Sequence, residues 1–264
     1  MSGRWALVTG ASDGIGVEFC RVLAGRGYNL MLVARREEKL QEVAAALTAT
    51  HGVTTQVIPC DLAKPEAAQE LHRQTAARGI EVDFLVNNAG LLHNGYFDEI
   101  DRGRQEDILA VNVVALTSLA HLFVRDMLAR RRGYILNVSS TAAWMGLPQQ
   151  NVYAASKAYV LSFSLALNDE LRAKRSGVSV TVVCPSYTDT KMLDNPEQGW
   201  KLTIPRSMVL DPVVVAREGI DGCLAGKPMV IPGLSNRIGM SLVQCLPRVW
   251  VTRVFGNLYR KGQS

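Results

Sequence analysis

Tyr153 and Lys157 stand four residues apart in Tyr153-Ala-Ala-Ser-Lys157, so a helix would carry both on one face, about one turn apart. A phenol ordinarily keeps its proton until pH ~10. An ammonium close by favours the phenolate and brings proton exchange towards neutrality. Ser140, in Asn137-Val-Ser-Ser140, can offer a hydroxyl to a substrate oxygen beside that phenol. Such a group suits proton transfer to or from a carbonyl or alcohol oxygen. A Tyr-x-x-x-Lys pair also arises by chance on helix surfaces, so the elements that would position it decide its meaning.

The first such element is near the start of the chain. The apolar run Trp5-Ala-Leu-Val-Thr9 stops at Gly10-Ala-Ser-Asp-Gly14-Ile-Gly16, and Val17, Cys20, Val22 and Leu23 follow at helical spacing. Strand, glycine turn and helix is the order that aims a helix N-terminus at a pyrophosphate. Gly10 would permit the tight turn, Gly14 the approach of backbone to phosphate, and Gly16 close packing of helix on strand. Ser12, Asp13 and Ile15 complete the expected cradle. The spacing is not G-x-G-x-x-G, so the general dinucleotide fingerprint does not strictly match; an ordinary flexible turn is the competing reading.

A second apolar run, Leu30-Met-Leu-Val-Ala34, ends in Arg35-Arg36. An NAD site places Asp or Glu about here, to bind the ribose 2′-hydroxyl. Guanidinium groups suit a 2′-phosphate instead. Arg35 and Arg36 therefore point to NADP(H), against the simpler reading of a solvated helix start continued by Glu37, Glu38 and Lys39.

With these pieces in place the chain resembles the short-chain dehydrogenase/reductase family, of the NADP-preferring Tyr-x-x-x-Lys type. The matching segments are Thr9-Gly-Ala-Ser-Asp-Gly-Ile-Gly16, Asp61-Leu62, Asn87-Asn-Ala-Gly90, Asn112, Ser140, Tyr153 with Lys157, and Pro185-Ser-Tyr-Thr-Asp-Thr190, in the family's order. The resemblance implies Tyr153 as general acid/base, and Lys157 as the group that lowers its pKa and binds the nicotinamide ribose. Ser140, preferred to Ser139 for its spacing to Tyr153, would orient the substrate carbonyl. Asn112 would hold a water in a proton relay. Asp61 and Leu62 would meet the adenine, while Asn88, Ala89 and Gly90 line the adenosine side. Pro185, Ser186, Thr188 and Thr190 would contact the nicotinamide end. The family usually has Pro-Gly where this chain has Pro185-Ser186, so a positive φ at Ser186 would be strained. Thr188 replaces a commonly apolar residue.

A length of 264 residues and 48% hydrophobic content fit one α/β domain, residues 1–264, with a sizeable core. Alternating β and α patterns predict a doubly wound parallel sheet of the Rossmann type. Strands are expected at 4–9, 29–34, 54–59, 82–87, 133–138, 178–183 and 228–231, and long helices at about 104–131 and 152–175. In the family those two helices often build a bundle between subunits, which implies a homodimer or homotetramer. No run of about eighteen apolar residues is found to span a membrane. The first strand begins almost at Met1, so a secretory signal could not be cleaved without destroying the nucleotide site. The five cysteines are scattered without a C-x-x-C, and the four histidines show no metal-ligand spacing. A cytoplasmic protein with reduced thiols and no metal is expected.

The formal net charge of +5 is concentrated at one end. Residues 229–264 hold Arg237, Arg248, Arg253, Arg260 and Lys261 with no Asp or Glu, among many apolar residues. Pro247 should divide this short helical extension, about 235–264, into two helices. Three readings stay open: weak contact with an anionic membrane surface, packing over a substrate cleft, and contact with a neighbouring subunit. No recognised nucleic-acid motif accompanies the charge. The extension and the Gly226–Gly233 segment before it resemble those of a bacterial subgroup of these reductases.

The substrate pocket is expected from Leu92, His93, Trp144, Met145, Leu147, Tyr187, Met192 and Leu193, with a lid at about 186–207 that includes Trp200. Its apolar character suggests a hydrophobic ketone or aldehyde and its alcohol. The expected function is an NADP(H)-dependent carbonyl reductase. A 3-oxoacyl thioester reductase of lipid metabolism and a non-catalytic NADP-binding sensor are the alternatives.

Overall fold

The computed structural model describes residues 3–190, 199 and 209–261, with side chains as far as Asn257. Its seven strands are β1 (Trp5–Thr9), β2 (Asn29–Ala34), β3 (Thr55–Pro59), β4 (Val82–Asn87), β5 (Gly133–Val138), β6 (Val178–Val183) and β7 (Met229–Val230). They lie in the order β3-β2-β1-β4-β5-β6-β7, every neighbouring pair parallel. The expected strand positions are met to within a residue at each end. Central strands of a parallel sheet are buried on both faces and so read as unbroken apolar runs; all five residues of β1 and all six of β4 are buried.

The helices are α1 (Gly14–Ala24), α2 (Glu37–His51), α3 (Ala67–Ala77), α4 (Arg102–Leu109), α5 (Leu116–Arg130), α6 (Asn151–Ala173), α7 (Pro212–Leu224), α8 (Leu234–Gln244) and α9 (Arg248–Lys261). Phe19 and Leu23 of α1, Leu40 of α2 and Ile220 of α7 pack on one face of the sheet. Leu71 of α3, Phe123 and Met127 of α5 and Leu171 of α6 pack on the other. The chain order reverses between β1 and β4, which opens a crevice at the carboxyl ends of β1, β4 and β5.

The expected helix over 104–131 is interrupted. Ala110–Ala115 form a π-helical turn between α4 and α5, a feature associated with functional positions. Within the helical stretch Arg102–Arg130 one window of 18 residues is apolar enough for a membrane span, with a mean hydropathy of 1.8. It is not an unbroken apolar run, since Asn112, Thr117, Ser118 and His121 interrupt it. Leu116, Leu119, Phe123, Val124 and Met127 are buried within the fold, so the helix is apolar because it belongs to the core.

Pro247 separates α8 from α9 as expected. The base of the expected lid is pinned: Leu210 N donates to Tyr187 O at 2.8 Å, and Asp189 N to Leu210 O at 2.9 Å. Met192, Leu193 and Trp200 lie outside the described residues.

Candidate active site

The glycine turn is tied to β4 before it can hold anything else. Thr9 Oγ1 accepts from Asn88 N and Ala89 N, both at 3.0 Å, and Asn88 Nδ2 donates to Thr9 O at 2.9 Å. Gly10 takes φ +67° to turn the chain. A Cβ on Gly16 would lie 2.1 Å from Gly10 O, so only glycine lets α1 start this close beneath the turn. Asp13 caps α1 by accepting from Gly14 N at 2.9 Å. Arg36 reaches across from the end of β2 to Ser12 Oγ and Asp13 Oδ2, both at 3.3 Å. Arg35 beside it is exposed. The cradle therefore presents a helix N-terminus to an anion, with the Arg36 guanidinium held beside it.

The other half of the site depends on how α6 docks. Asn87 Nδ2 donates to Asn137 Oδ1, and Asn137 Nδ2 to Ser164 Oγ, both at 2.9 Å, a buried ladder from β4 through β5 to α6. Nearer the cavity, Ser139 Oγ donates to Lys157 O at 2.7 Å and Lys157 Nζ to Val138 O at 2.9 Å. These bonds place Tyr153 and Lys157 over the ends of β4 and β5. Ser140, preferred to Ser139 from spacing, lines the cavity with Tyr153, and its hydroxyl donates to Pro185 O at 3.4 Å.

The cavity has a volume of about 420 Å³. Its cofactor end is lined by Ile15, Asn88, Gly90, Pro185, Ser186, Thr188 and Thr190 of the expected residues. Tyr153, Lys157 and Ser140 stand in the middle, and Leu92, Met145, Leu147 and Tyr187 carry it onward. One continuous space thus joins the glycine turn to the phenol. That continuity, with the donor set at the cradle, fits a dinucleotide whose nicotinamide end reaches Tyr153. Ser186 is absent from the positive-φ residues, so the anticipated backbone strain does not arise.

Several expectations are corrected. The ammonium of Lys157 lies 5.7 Å from the centroid of the Tyr153 ring, and it donates to Val138 O. Burial raises the Tyr153 pKa above the ordinary value, and the Ser140 hydrogen bond only opposes this. Burial instead lowers the pKa of Lys157 itself to about 8. Asn112, in the π-helical turn, accepts from Leu91 N at 2.8 Å and donates to Leu91 O at 2.9 Å and Ser156 Oγ at 3.0 Å. Its amide clamps the segment at Leu91 to α6 through Ser156.

Trp144 packs into the core beside Leu116 and Val160 and does not line the cavity. His93 also lies outside the cavity lining, near Gly199. Leu62 is buried in the core cluster of α3 and α5, and Asp61 Oδ1 accepts from Ala63 N at 3.2 Å in the turn after β3.

The sequence reading assigned no role to Thr9, Ser139, or the Asn87–Asn137–Ser164 ladder. Two asparagines at the ends of successive strands were its only visible trace. Packing of the extension over the cleft, one of the three expected readings, is met: Asn236, Met240 and Val243 of α8 and Phe255 of α9 reach the cavity. Their near four-residue spacing is the mark of an inward helical face.

A buried ammonium with one backbone acceptor costs stability. Lys157 binds its proton less tightly folded than unfolded, so the unfolded chain holds more protons between pH about 8 and the ordinary lysine value. The penalty is full below about 8 and relieved as pH rises through that window. Without cofactor, Lys157→Met is expected to melt later than wild type at pH 7, by roughly 1–3 kcal/mol after the lost hydrogen bond. That advantage should shrink towards pH 10. Melting curves across pH check this, and an unchanging or reversed difference would contradict it.

Comparisons with known proteins agree with this geometry. The family model described as short chain dehydrogenase matches residues 4–199. A very-long-chain 3-oxoacyl-CoA reductase from Mycosarcoma maydis is 34% identical over 253 residues, 94% of this chain and 71% of that protein. Several other curated relatives are matched over 57% to 63% of their own length. Among solved structures, a 7β-hydroxysteroid dehydrogenase superposes with a TM-score of 0.86 at 29% identity, covering 96% of this chain and 97% of that one. A short-chain dehydrogenase from Sphingobium yanoikuyae in complex with NADPH gives 0.80 at 28% identity, covering 93% and 97%. With its doubly wound sheet, glycine turn and Tyr153–Lys157–Ser140 cluster, this chain belongs to the short-chain dehydrogenase family of NAD(P)-using oxidoreductases.

Proposed function

We propose that the protein is an NADP(H)-dependent reductase of bulky, apolar ketones or aldehydes. The observation that carries this reading is the single cavity that runs from the glycine turn past Tyr153 to a wall of Leu92, Met145, Leu147, Met240 and Val243. A bound nicotinamide supplies the hydride. Tyr153 gives a proton to the carbonyl oxygen, and Ser140 holds that oxygen beside the phenol. Lys157 waits behind the ring with a lowered pKa, ready to pair with a polar group of the cofactor in place of Val138 O. The likeness to a 7β-hydroxysteroid dehydrogenase supports a large apolar substrate. The NADPH complex of a similar chain, with Arg35 and Arg36 at the end of β2, supports NADP over NAD.

A second reading has a specific basis: the similarity to very-long-chain 3-oxoacyl-CoA reductases supports a 3-oxoacyl thioester as substrate. It would use the same groups on a ketone beside a thioester. The sensor alternative draws support from the similarity to an inactive hydroxysteroid dehydrogenase-like protein 1 from Homo sapiens, 37% identical over 194 residues; the meeting of Ser140, Tyr153 and Lys157 at the cavity favours the catalytic readings over it. In this account the protein works in the cytoplasm, its five cysteines being free thiols. It does so as a homodimer or homotetramer, through exposed apolar residues such as Val114 and Tyr159 on the π turn and α6.

Tyr153→Phe removes the acid and keeps the ring. It is expected to bind NADPH nearly as wild type does and to lose about 10²–10⁴ in turnover. Near-normal turnover would remove Tyr153 from the reaction. Arg35→Ala and Arg36→Ala are each expected to weaken NADPH by roughly 1.5–3 kcal/mol, the range for a hydrogen bond to a charged group, while NADH binding hardly changes. Titrations of both cofactors check this, and equal weakening of the two would show that neither arginine reads a 2′-phosphate.

A further inference from the structure

We propose that the outer face of the C-terminal helix pair docks this protein on an anionic lipid bilayer. The inner faces of α8 and α9 are occupied, since Met240, Val243 and Phe255 line the cavity. The outer faces are apolar as well. On α8, Leu234, Ile238 and Leu242 recur every four residues and form one stripe, with Leu242 66% exposed. On α9, Val249, Trp250 and Val254 form a second, with Trp250 65% exposed. A soluble surface rarely gathers large apolar side chains in this way without a use for them.

Charge decides among the possible occupants. Arg248 and Arg253 flank Trp250 and are exposed. Among the described residues neither makes an ion pair, whereas Arg237 is partnered by Glu218 at 3.6 Å. The sequence adds Arg260 and Lys261 and has no acidic residue from 229 to 264. A second copy docked face to face through this surface would bring arginines to arginines. A bilayer offers what both features require: an apolar layer for the leucines and tryptophan, and anionic headgroups at the depth of the arginines. Tryptophan is suited to that boundary. Entry of an apolar substrate from the bilayer rests on the proposed function; the docking surface itself does not.

The test is flotation of the intact protein with phosphatidylcholine vesicles that contain about one-third phosphatidylglycerol, against phosphatidylcholine alone. Wild type should float with the anionic vesicles at low salt and be released at high salt. Arg248→Glu/Arg253→Glu and Ile238→Ser/Leu242→Ser/Trp250→Ser should each lower the partition coefficient by about tenfold or more. Their melting temperatures and NADPH affinities, read on the same samples, should match wild type. If a variant fails to fold, the lipid and salt dependence of the wild type still decides. Failure of the wild type to float, or equal flotation of well-folded variants, would overturn the proposal. So would a wild type that ignores lipid but dissociates into smaller oligomers when the face is changed, which would assign the face to a second copy. Catalytic activity enters none of these readouts, so their failure is separate from failure of the enzymatic reading.

Discussion

The site depends on the docking of one helix onto the end of one strand. Ser139 Oγ bonded to Lys157 O, and Lys157 Nζ bonded to Val138 O, lock α6 to β5. Everything catalytic hangs from that seam. It sets Tyr153 opposite Ser140, and it buries an ammonium that makes no ion pair among the described residues. The buried charge is unfavourable for folding and useful for function. An ammonium satisfied by one carbonyl is prepared to exchange that partner for a ligand oxygen, and the Asn87–Asn137–Ser164 ladder keeps the helix in place while it does so. Chemistry and stability are thus in tension at a single residue.

Most of the framework was legible in the amino-acid sequence because burial on both faces leaves a plain signature. The runs at 29–34, 82–87, 133–138 and 178–183 coincide with β2, β4, β5 and β6. Gly10 and Gly16 were also readable, since each answers a steric demand that is local in the chain. The elements least legible are those whose state is set by distant packing. The π turn at Ala110–Ala115 leaves no mark in helical periodicity. Trp144 and Leu92 are both apolar and both near the motif residues, yet one turns to the core and the other to the cavity.

The electrostatics of the tyrosine show the same limit. Spacing placed Lys157 one turn from Tyr153 correctly, and the expected consequence, a lowered phenol pKa, does not follow from spacing alone. Desolvation acts on both groups. It raises the phenol and lowers the ammonium, and the geometry leaves the charge directed at a backbone carbonyl. The extension is the third case. Its composition suggested either a cleft cover or a surface contact, and the folded helices have a separate face for each, with Met240 inward and Leu242 outward.

The central claim is that this cavity brings a reduced nicotinamide, an apolar carbonyl and the Tyr153 phenol together. The most direct measurement follows NADPH and NADH absorbance separately against bulky apolar ketones, aldehydes and a 3-oxoacyl thioester. NADPH is expected to be consumed faster than NADH, with the bulky carbonyl compounds as substrates. Consumption with the thioester alone would move the substrate to the second reading. Tight NADPH binding with no turnover on any member of the panel would contradict the claim.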